Sequence, residues 1–151
     1  MLSNSEIMAS GSTISFHFNE NQFTLQNRKR LKLFIDSLCR KEGVLVRSIK
    51  YIFCTDNELL EINKAFLHHD YYTDTISFVL SDDKFGVEAE IYISIDRIKE
   101  NSKIFGVSFK NELHRVIFHG ILHICGYDDK KIEEKEMMRK KEDYYLHKYF
   151  T

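Results

Sequence analysis

The spacing of apolar and polar residues along the chain predicts a mixture of strands and helices. Apolar positions that alternate with polar ones, and short runs of β-branched and aromatic residues, are typical of strands. Four segments have these patterns: 14–18, 46–55, 75–80 and 88–94. Apolar positions three or four residues apart are typical of helices with one buried face. Five segments have this spacing: 25–41, 55–66, 96–105, 108–125 and 130–150. We therefore expect an α+β fold, one domain with a small mixed β-sheet of about four strands packed with about five helices.

Local signals indicate where some of these elements begin and how they pack. Thr55 with Glu58 three residues later is a capping box, which opens a helix. The buried stripe of that helix is predicted to consist of Leu59, Ile62 and Phe66. The polar residues 81–86 are expected to form the turn of a hairpin. The last segment is expected to pack back onto the sheet.

The length and composition are those of an ordinary soluble domain. The chain has 151 residues, of which 43% are hydrophobic and 30% charged. Residues 1–12 are small and polar without an apolar period, so we expect a disordered N-terminus followed by a single domain over residues 13–151. No charged leader precedes an apolar run, and the apolar stretch 116–127, which is free of Asp, Glu, Lys and Arg, is too short to span a bilayer. Three widely spaced cysteines without a Cys-x-x-Cys pair are typical of reduced thiols. A cytoplasmic protein without a membrane partner is the expectation.

The net charge of −1 supplies no overall positive field for a polyanion, so nucleic-acid contact would depend on local basic patches. The segment 25–41 is the most basic helix, since its Lys and Arg residues outnumber its one acid, Asp36, by five charges. A solvated helix face is the simpler interpretation. A surface that follows RNA phosphates is the alternative, and it predicts a salt-dependent affinity for RNA.

The strongest chemical signal lies at the end of the fourth predicted helix. His119 and His123 are four residues apart, so their imidazoles lie one turn apart on one helix face and can bind one divalent metal. Asp129 cannot reach them along a continuing helix, but Gly126 can end the helix in a left-handed turn and bring Asp129 back. Two nitrogens, one carboxylate oxygen and an open position are the arrangement of a catalytic metal site. Its cleft is expected at the end of a buried helix.

Neighbouring residues limit this interpretation. Gly120 stands where a zinc protease with the same spacing carries its general base, a glutamate, which argues against ordinary peptide hydrolysis. Cys125 points about 200° away from His123 and is assigned to core packing. His114 is five residues before His119 and so does not lie on the ligand face.

The segment from His119 onwards resembles the signature of the YbeY-type endoribonucleases, the bacterial rRNA maturation factors. The matching residues are His119, Gly120, Leu122, His123, Gly126, Tyr127 and Asp128. The upstream elements of the family pattern correspond to 62–63, Asp70, 73–78 and 89–94, so the likeness covers roughly residues 44–147. Two departures stand out. Asp129 occupies the place of the family's usual third histidine, and Leu67 that of an arginine expected to meet RNA.

The resemblance implies a metal-dependent endoribonuclease, specific for single-stranded RNA, that acts in rRNA maturation at the 3′ end of 16S rRNA and in ribosome quality control. It implies one zinc ion per chain, with another divalent metal as the alternative, bound by His119, His123 and Asp129. Asp128 is expected beside that ion, where it orients water or supports a ligand. Substrate contact is expected from Thr73, Asp74 and Ser77. The expected partners are single-stranded RNA, rRNA and the ribosomal small subunit, and the oligomeric state is not predicted.

Two other functions stay open at this level. A metallopeptidase-like hydrolase shares the ligand spacing but needs a base from another part of the chain. A maturation factor without catalytic activity would use the metal only to hold residues 126–129 in place.

Overall fold

A mixed sheet organises the part of the chain that the computed structural model describes, residues 12–19, 23–69 and 72–151. Within these ranges the strands are β1 (Thr13–Phe18), β2 (Val46–Cys54), β3 (Thr75–Asp83) and β4 (Gly86–Ser94). The helices in the same ranges are α1 (Arg28–Lys41), α2 (Asp56–Leu67), α3 (Ile95–Phe105), α4 (Phe109–Ile124) and α5 (Ile132–Phe150). The predicted α+β fold is confirmed. The expected disorder of residues 1–12 lies outside the described residues except at Ser12, whose hydroxyl donates to Asp36.

The strand order β1-β2-β4-β3 makes β3 an outer strand. β1, β2 and β4 are parallel, and β3 pairs with β4 in the antiparallel sense, with Ile76 opposite Tyr92. The predicted hairpin is confirmed, but its turn is tighter than residues 81–86, because Asp83 already pairs with Gly86. One edge of β3 is thus bonded to β4, and its other edge is available to border the candidate site.

Helices α1 and α4 cover one face of the sheet and form the main core with it. Ile49, Ile91 and Ile93 of the sheet are fully buried. Ile117 and Ile121 of α4 are fully buried as well, as expected for the helix face turned away from the histidines. Each buried side chain of this size stabilises the fold by about 1.5–3 kcal/mol. The core therefore fixes the orientation of α4.

Helix α2 covers the other face with a smaller cluster of Cys54, Leu59 and Ile76. Its predicted capping box is confirmed, since the Thr55 side chain accepts from the Glu58 N–H and Glu58 accepts from the Thr55 N–H. The prediction that Phe66 belongs to the buried stripe is wrong. Phe66 is 69% exposed, and its ring meets that of Phe78 edge to face at a centroid distance of 6.0 Å.

The prediction that the last segment packs onto the sheet is also wrong. Helix α5 packs chiefly on α4, with Tyr145 and Tyr149 against Phe34 of α1. Helices α1 and α4 make the main helix contacts with this sheet face, and the buried side chains of α5 join the same core. None of the helices in the described ranges combines the length and apolar composition that crossing a lipid bilayer requires.

Candidate metal centre

Helix α4 positions two histidines and then ends at a glycine corner. The ring centroids of His119 and His123 are 4.6 Å apart. The helix closes with a Schellman motif, in which Gly126 N–H donates to the His123 carbonyl and Tyr127 N–H to the Leu122 carbonyl. Gly126 has a φ of 101°, a left-handed value that glycine adopts at little cost. The predicted turn after α4 is confirmed.

The corner brings Asp129 back to the two imidazoles. Asp129 Oδ2 lies 3.3 Å from Nε2 of His119 and 3.3 Å from Nε2 of His123. The two Nε2 atoms are 3.0 Å apart. The three predicted residues thus form a group that could hold a metal ion, within the part of the chain that the structure describes.

The size of this triangle suits a small divalent ion. A tetrahedral ion with bonds of about 2.1 Å has ligand atoms about 3.4 Å apart. The edges of 3.0 and 3.3 Å are close to that value. Three protein ligands leave a fourth position for water or substrate, which is the usual composition of a catalytic rather than a structural site.

A buried carboxylate from α5 holds the far side of the His119 ring. Glu142 Oε2 lies 2.6 Å from His119 Nδ1, and Glu142 Oε1 accepts from Arg115 at 3.0 Å. A carboxylate can only accept, so Nδ1 carries a proton, and in the neutral ring Nε2 has its lone pair on the Asp129 side. Sequence reasoning missed Glu142. The available signal was its place on the buried stripe of α5, four residues after Met138 and three before Tyr145.

The charges around His119 favour its protonated form when no metal is bound. Burial lowers the pKa of His119, but the hydrogen bond and charge of Glu142, with the charges of Asp74 and Asp129, outweigh burial and raise it. A metal ion at Nε2 competes with that proton, so metal binding should weaken as the pH falls.

An open cleft of about 560 Å³ lies beside the three residues, between the edge of β3 and the end of α4. All the predicted site residues line it: Thr73, Asp74, Ser77, His119, His123, Asp128 and Asp129. Leu67 lines it too, so the position expected to carry an RNA-contacting arginine does face the site. Sequence reasoning did not select Asn63, His69 or Lys130, which also border the cleft.

Asp74 brings a second carboxyl group into the cleft wall near the histidines. Burial raises the pKa of Asp74, and the charge of His119 and local backbone hydrogen bonds oppose this increase only in part. Ser77 contributes differently, because its hydroxyl donates to the Gly120 carbonyl at 3.1 Å. The Ser77 oxygen can therefore face a ligand only as an acceptor.

Gly120 is required by packing. A Cβ atom built there would lie 2.7 Å from Cγ2 of the fully buried Ile91. Helix α4 can approach β4 this closely only without a side chain at position 120. This packing gives a structural reason, in addition to any chemical one, why position 120 does not carry the glutamate of the protease pattern.

Gly120→Ala should therefore destabilise the protein. Overpacking costs about 1–3 kcal/mol, and the better helix propensity of alanine returns about 1 kcal/mol. We expect a net loss in the free energy of unfolding, measured by urea denaturation. In an Ile91→Ala background the same substitution should cost nothing. An equal cost in both backgrounds would show that the contact with Ile91 is not the cause.

Glu42 connects the turn that precedes Asp129 with helix α5. Its carboxylate accepts from the Tyr127 hydroxyl at 2.5 Å, from Lys141 at 3.2 Å and from the Tyr145 hydroxyl. Burial raises the pKa of Glu42, but the hydrogen bonds from these three residues outweigh burial and lower it. The signature residue Tyr127 thus serves as an anchor between the turn, α1 and α5.

The lowered pKa of Glu42 predicts a loss of stability in acid. A group with a lowered folded pKa stabilises the protein above its unfolded pKa, here about 4.3, and this contribution disappears as the pH falls through the folded value. Melting temperatures from pH 7 to pH 3 should fall less steeply for Glu42→Gln than for wild type. The exposed Glu136→Gln serves as control. Parallel curves for Glu42→Gln and wild type would refute this assignment.

The two residues that sequence analysis excluded as ligands lie away from the centre. His114 Nδ1 contacts the Lys110 carbonyl at 2.7 Å, and its ring stacks on Tyr149. Burial lowers the pKa of His114. Cys125 packs against the main core, and the cysteines are free thiols. Neither residue joins the metal-binding group of the described residues.

The fold and the site together define a class of protein: an α+β domain whose buried helix and following turn present three residues that could hold a metal ion beside an open cleft. A family model described as Endoribonuclease YbeY matches residues 12–150. The chain belongs to this family.

Named relatives and a solved structure agree with this assignment. A Cytophaga hutchinsonii protein named Endoribonuclease YbeY is 46% identical over 131 residues, 87% of this chain and 92% of that protein. A Karelsulcia muelleri protein of the same name is 44% identical over 130 residues, 86% of this chain and 92% of that protein. The solution structure of a Thermotoga maritima protein matches with a TM-score of 0.58 at 28% identity, over 91% of this chain and 89% of that one.

Proposed function

We propose that this chain is a metal-dependent endoribonuclease that cleaves single-stranded RNA and acts in rRNA maturation, at the 3′ end of 16S rRNA, and in ribosome quality control. The observation that supports this best is the group of His119, His123 and Asp129 in an open cleft, in a chain of an endoribonuclease family. The proposed partners are rRNA and the ribosomal small subunit. The proposed catalytic domain covers residues 13–151, and its place of action is the bacterial cytoplasm, where rRNA is processed.

Zinc is the proposed cofactor. Two imidazole nitrogens and one carboxylate oxygen are a donor set that catalytic zinc accepts, and the spacing of the three atoms suits its bond lengths. When bound, zinc supplies a Lewis acid for the phosphoryl oxygen and lowers the pKa of its water towards about 7. This chain's own contribution is to hold the His119 ring through its hydrogen bond with Glu142, and to bring Asp129 into place through the turn at Gly126.

The cleft wall suits a ribose better than a deoxyribose. Asp74 and Asp128 offer carboxylate oxygens, and Ser77 has its proton engaged by Gly120. All three therefore accept hydrogen bonds, and the 2′-hydroxyl of RNA is a donor that DNA lacks. We propose Thr73, Asp74 and Ser77 as substrate contacts and Asp128 as the residue that orients the attacking water or supports Asp129.

The decisive assay compares four substrates with the zinc-loaded protein. They are a single-stranded RNA, the DNA of the same sequence, the RNA annealed to its complement and an unstructured peptide. We expect cleavage of the single-stranded RNA alone, and loss of this cleavage when a chelator is added.

Cleavage of the peptide would favour the metallopeptidase alternative. The open edge of β3 offers a specific argument for that alternative, because an extended peptide can pair with such an edge. A chain that loses thermal stability without zinc and cleaves none of the substrates would be the maturation factor with a structural metal.

Lys130 is the proposed phosphate contact, because it is the one Lys or Arg among the described residues that line the cleft. The basic residues of α1 are partly engaged elsewhere, with Arg28 over the ring of Phe18 and Arg30 over that of Tyr149. Lys130→Ala should weaken RNA binding and lower the slope of log affinity against log salt by about 0.7, the value for one single-strand phosphate contact. Lys131 does not line the cleft, so Lys131→Ala should leave the slope of log affinity against log salt unchanged. Equal slopes in the two variants would refute the role of Lys130.

A further inference from the structure

We propose that Glu142 is a positioning residue of the metal centre. It selects the ring nitrogen that His119 offers to the metal and holds the plane of that ring, and Arg115 in turn holds Glu142. This inference rests on the proposed metal site and names a residue of it that neither the motif nor the ligand spacing indicates.

The geometry places Glu142 between two residues of one helix face. Arg115, His119 and His123 follow each other at intervals of four along α4, so their side chains lie in one row. Glu142 on α5 faces this row and uses one oxygen for each of two neighbours, Oε1 for Arg115 at 3.0 Å and Oε2 for His119 at 2.6 Å.

A purely structural ion pair would not require this arrangement. Arg115 already has a second carboxylate, because its other terminal nitrogen donates to Asp143 at 2.7 Å. Asp143 is 57% exposed, whereas the Glu142 side chain is only 7% exposed. Burying a carboxylate is costly unless its oxygens are bonded. The contact that distinguishes Glu142 from Asp143 is the one with His119.

The chemical consequence follows from the tautomer. With Nδ1–H donated to Glu142, the lone pair of Nε2 points towards Nε2 of His123 and Oδ2 of Asp129. Carboxylates that hold metal-binding imidazoles in this way increase the basicity of the ligand and fix its orientation, and their loss weakens metal affinity by about 10–100-fold.

The test measures zinc affinity directly, by competition with a chromophoric chelator. The proteins compared are wild type, Glu142→Ala, the isosteric Glu142→Gln and Asp143→Asn, which removes the other carboxylate partner of Arg115. We expect the zinc dissociation constant to rise about 10–100-fold in Glu142→Ala. A smaller increase is expected in Glu142→Gln, whose amide oxygen still accepts from Nδ1, and no change beyond about twofold in Asp143→Asn. Nitrogen NMR of metal-free protein, at a pH where the His119 ring is neutral, should report the Nδ1–H tautomer in wild type and a mixture of tautomers in Glu142→Ala.

The outcomes separate a positioning role from a structural one. If both Glu142 variants melt at lower temperature but bind zinc as tightly as wild type, the residue only supports the fold and the inference is overturned. If Glu142→Ala does not fold, the comparison of Glu142→Gln with Asp143→Asn decides. A wild-type protein that binds zinc but cleaves no RNA would remove the proposed function and leave this test intact. A wild-type protein that binds no zinc would overturn both.

Discussion

Replacing His123 with alanine should abolish both metal binding and RNA cleavage. The substitution removes one of three ligand atoms and leaves only the pair of His119 and Asp129, 3.3 Å apart. A two-ligand site has neither the affinity nor the geometry of a catalytic zinc site. Metal-ion catalysis contributes several kcal/mol of transition-state stabilisation, and each 1.36 kcal/mol is a factor of ten, so cleavage should fall by about 1,000-fold or more.

Elemental analysis of the purified proteins measures the first effect, and cleavage of a labelled single-stranded RNA measures the second. His147→Ala is the matched control, because it removes an exposed histidine of α5 that is absent from the metal-binding group. It should retain both the metal and the activity. An unchanged metal content in His123→Ala would rule out this ligand assignment.

Substitutions at the adjacent acids should separate two roles. Asp129→Ala removes the carboxylate whose oxygen lies 3.3 Å from both imidazoles, so metal content and activity should fall together, activity by about 1,000-fold or more. Asp129→His replaces the carboxylate with a neutral imidazole, which is also a good zinc ligand, and should retain the metal. Asp128→Ala should keep the metal, because this residue lies outside the metal-binding group, and should lower only the cleavage rate.

The same metal analysis and RNA assay test this pair of residues. If Asp128→Ala loses the metal and Asp129→Ala keeps it, the two acids have been assigned in the wrong order. If both variants keep the metal, the ligand group consists of the histidines with a third residue from elsewhere. Retention of metal in Asp128→Ala with unchanged cleavage would remove Asp128 from the proposed chemistry.

The features that sequence analysis predicted well depend on local rules. The interval of four between His119 and His123 is a property of any helix, and the φ of 101° at Gly126 is a property that glycine tolerates. The capping box at Thr55 likewise depends on residues three apart. The three ligand atoms meet because these local rules act in succession over eleven residues, so the candidate centre was accessible without knowledge of the tertiary fold.

The features that were missed depend on which helices are neighbours. Glu142 reaches His119 only because α5 packs on α4, whereas the prediction had α5 on the sheet. Glu42 reaches Tyr127 across 85 positions of sequence, for which no periodic pattern exists. From the sequence, Gly120 was notable only because it replaces the general base of the protease pattern. Its packing role depends on the close approach of Ile91, which only the tertiary structure shows.

The central claim is that His119, His123 and Asp129 hold one divalent ion in an open site. An anomalous diffraction map of crystals grown with zinc tests it most directly. We predict one zinc peak within about 2.0–2.2 Å of Nε2 of both histidines and of one Asp129 oxygen, with no fourth protein ligand. A zinc ion bound elsewhere, or bound through Nδ1 of His119 after that ring has left Glu142, would contradict the account.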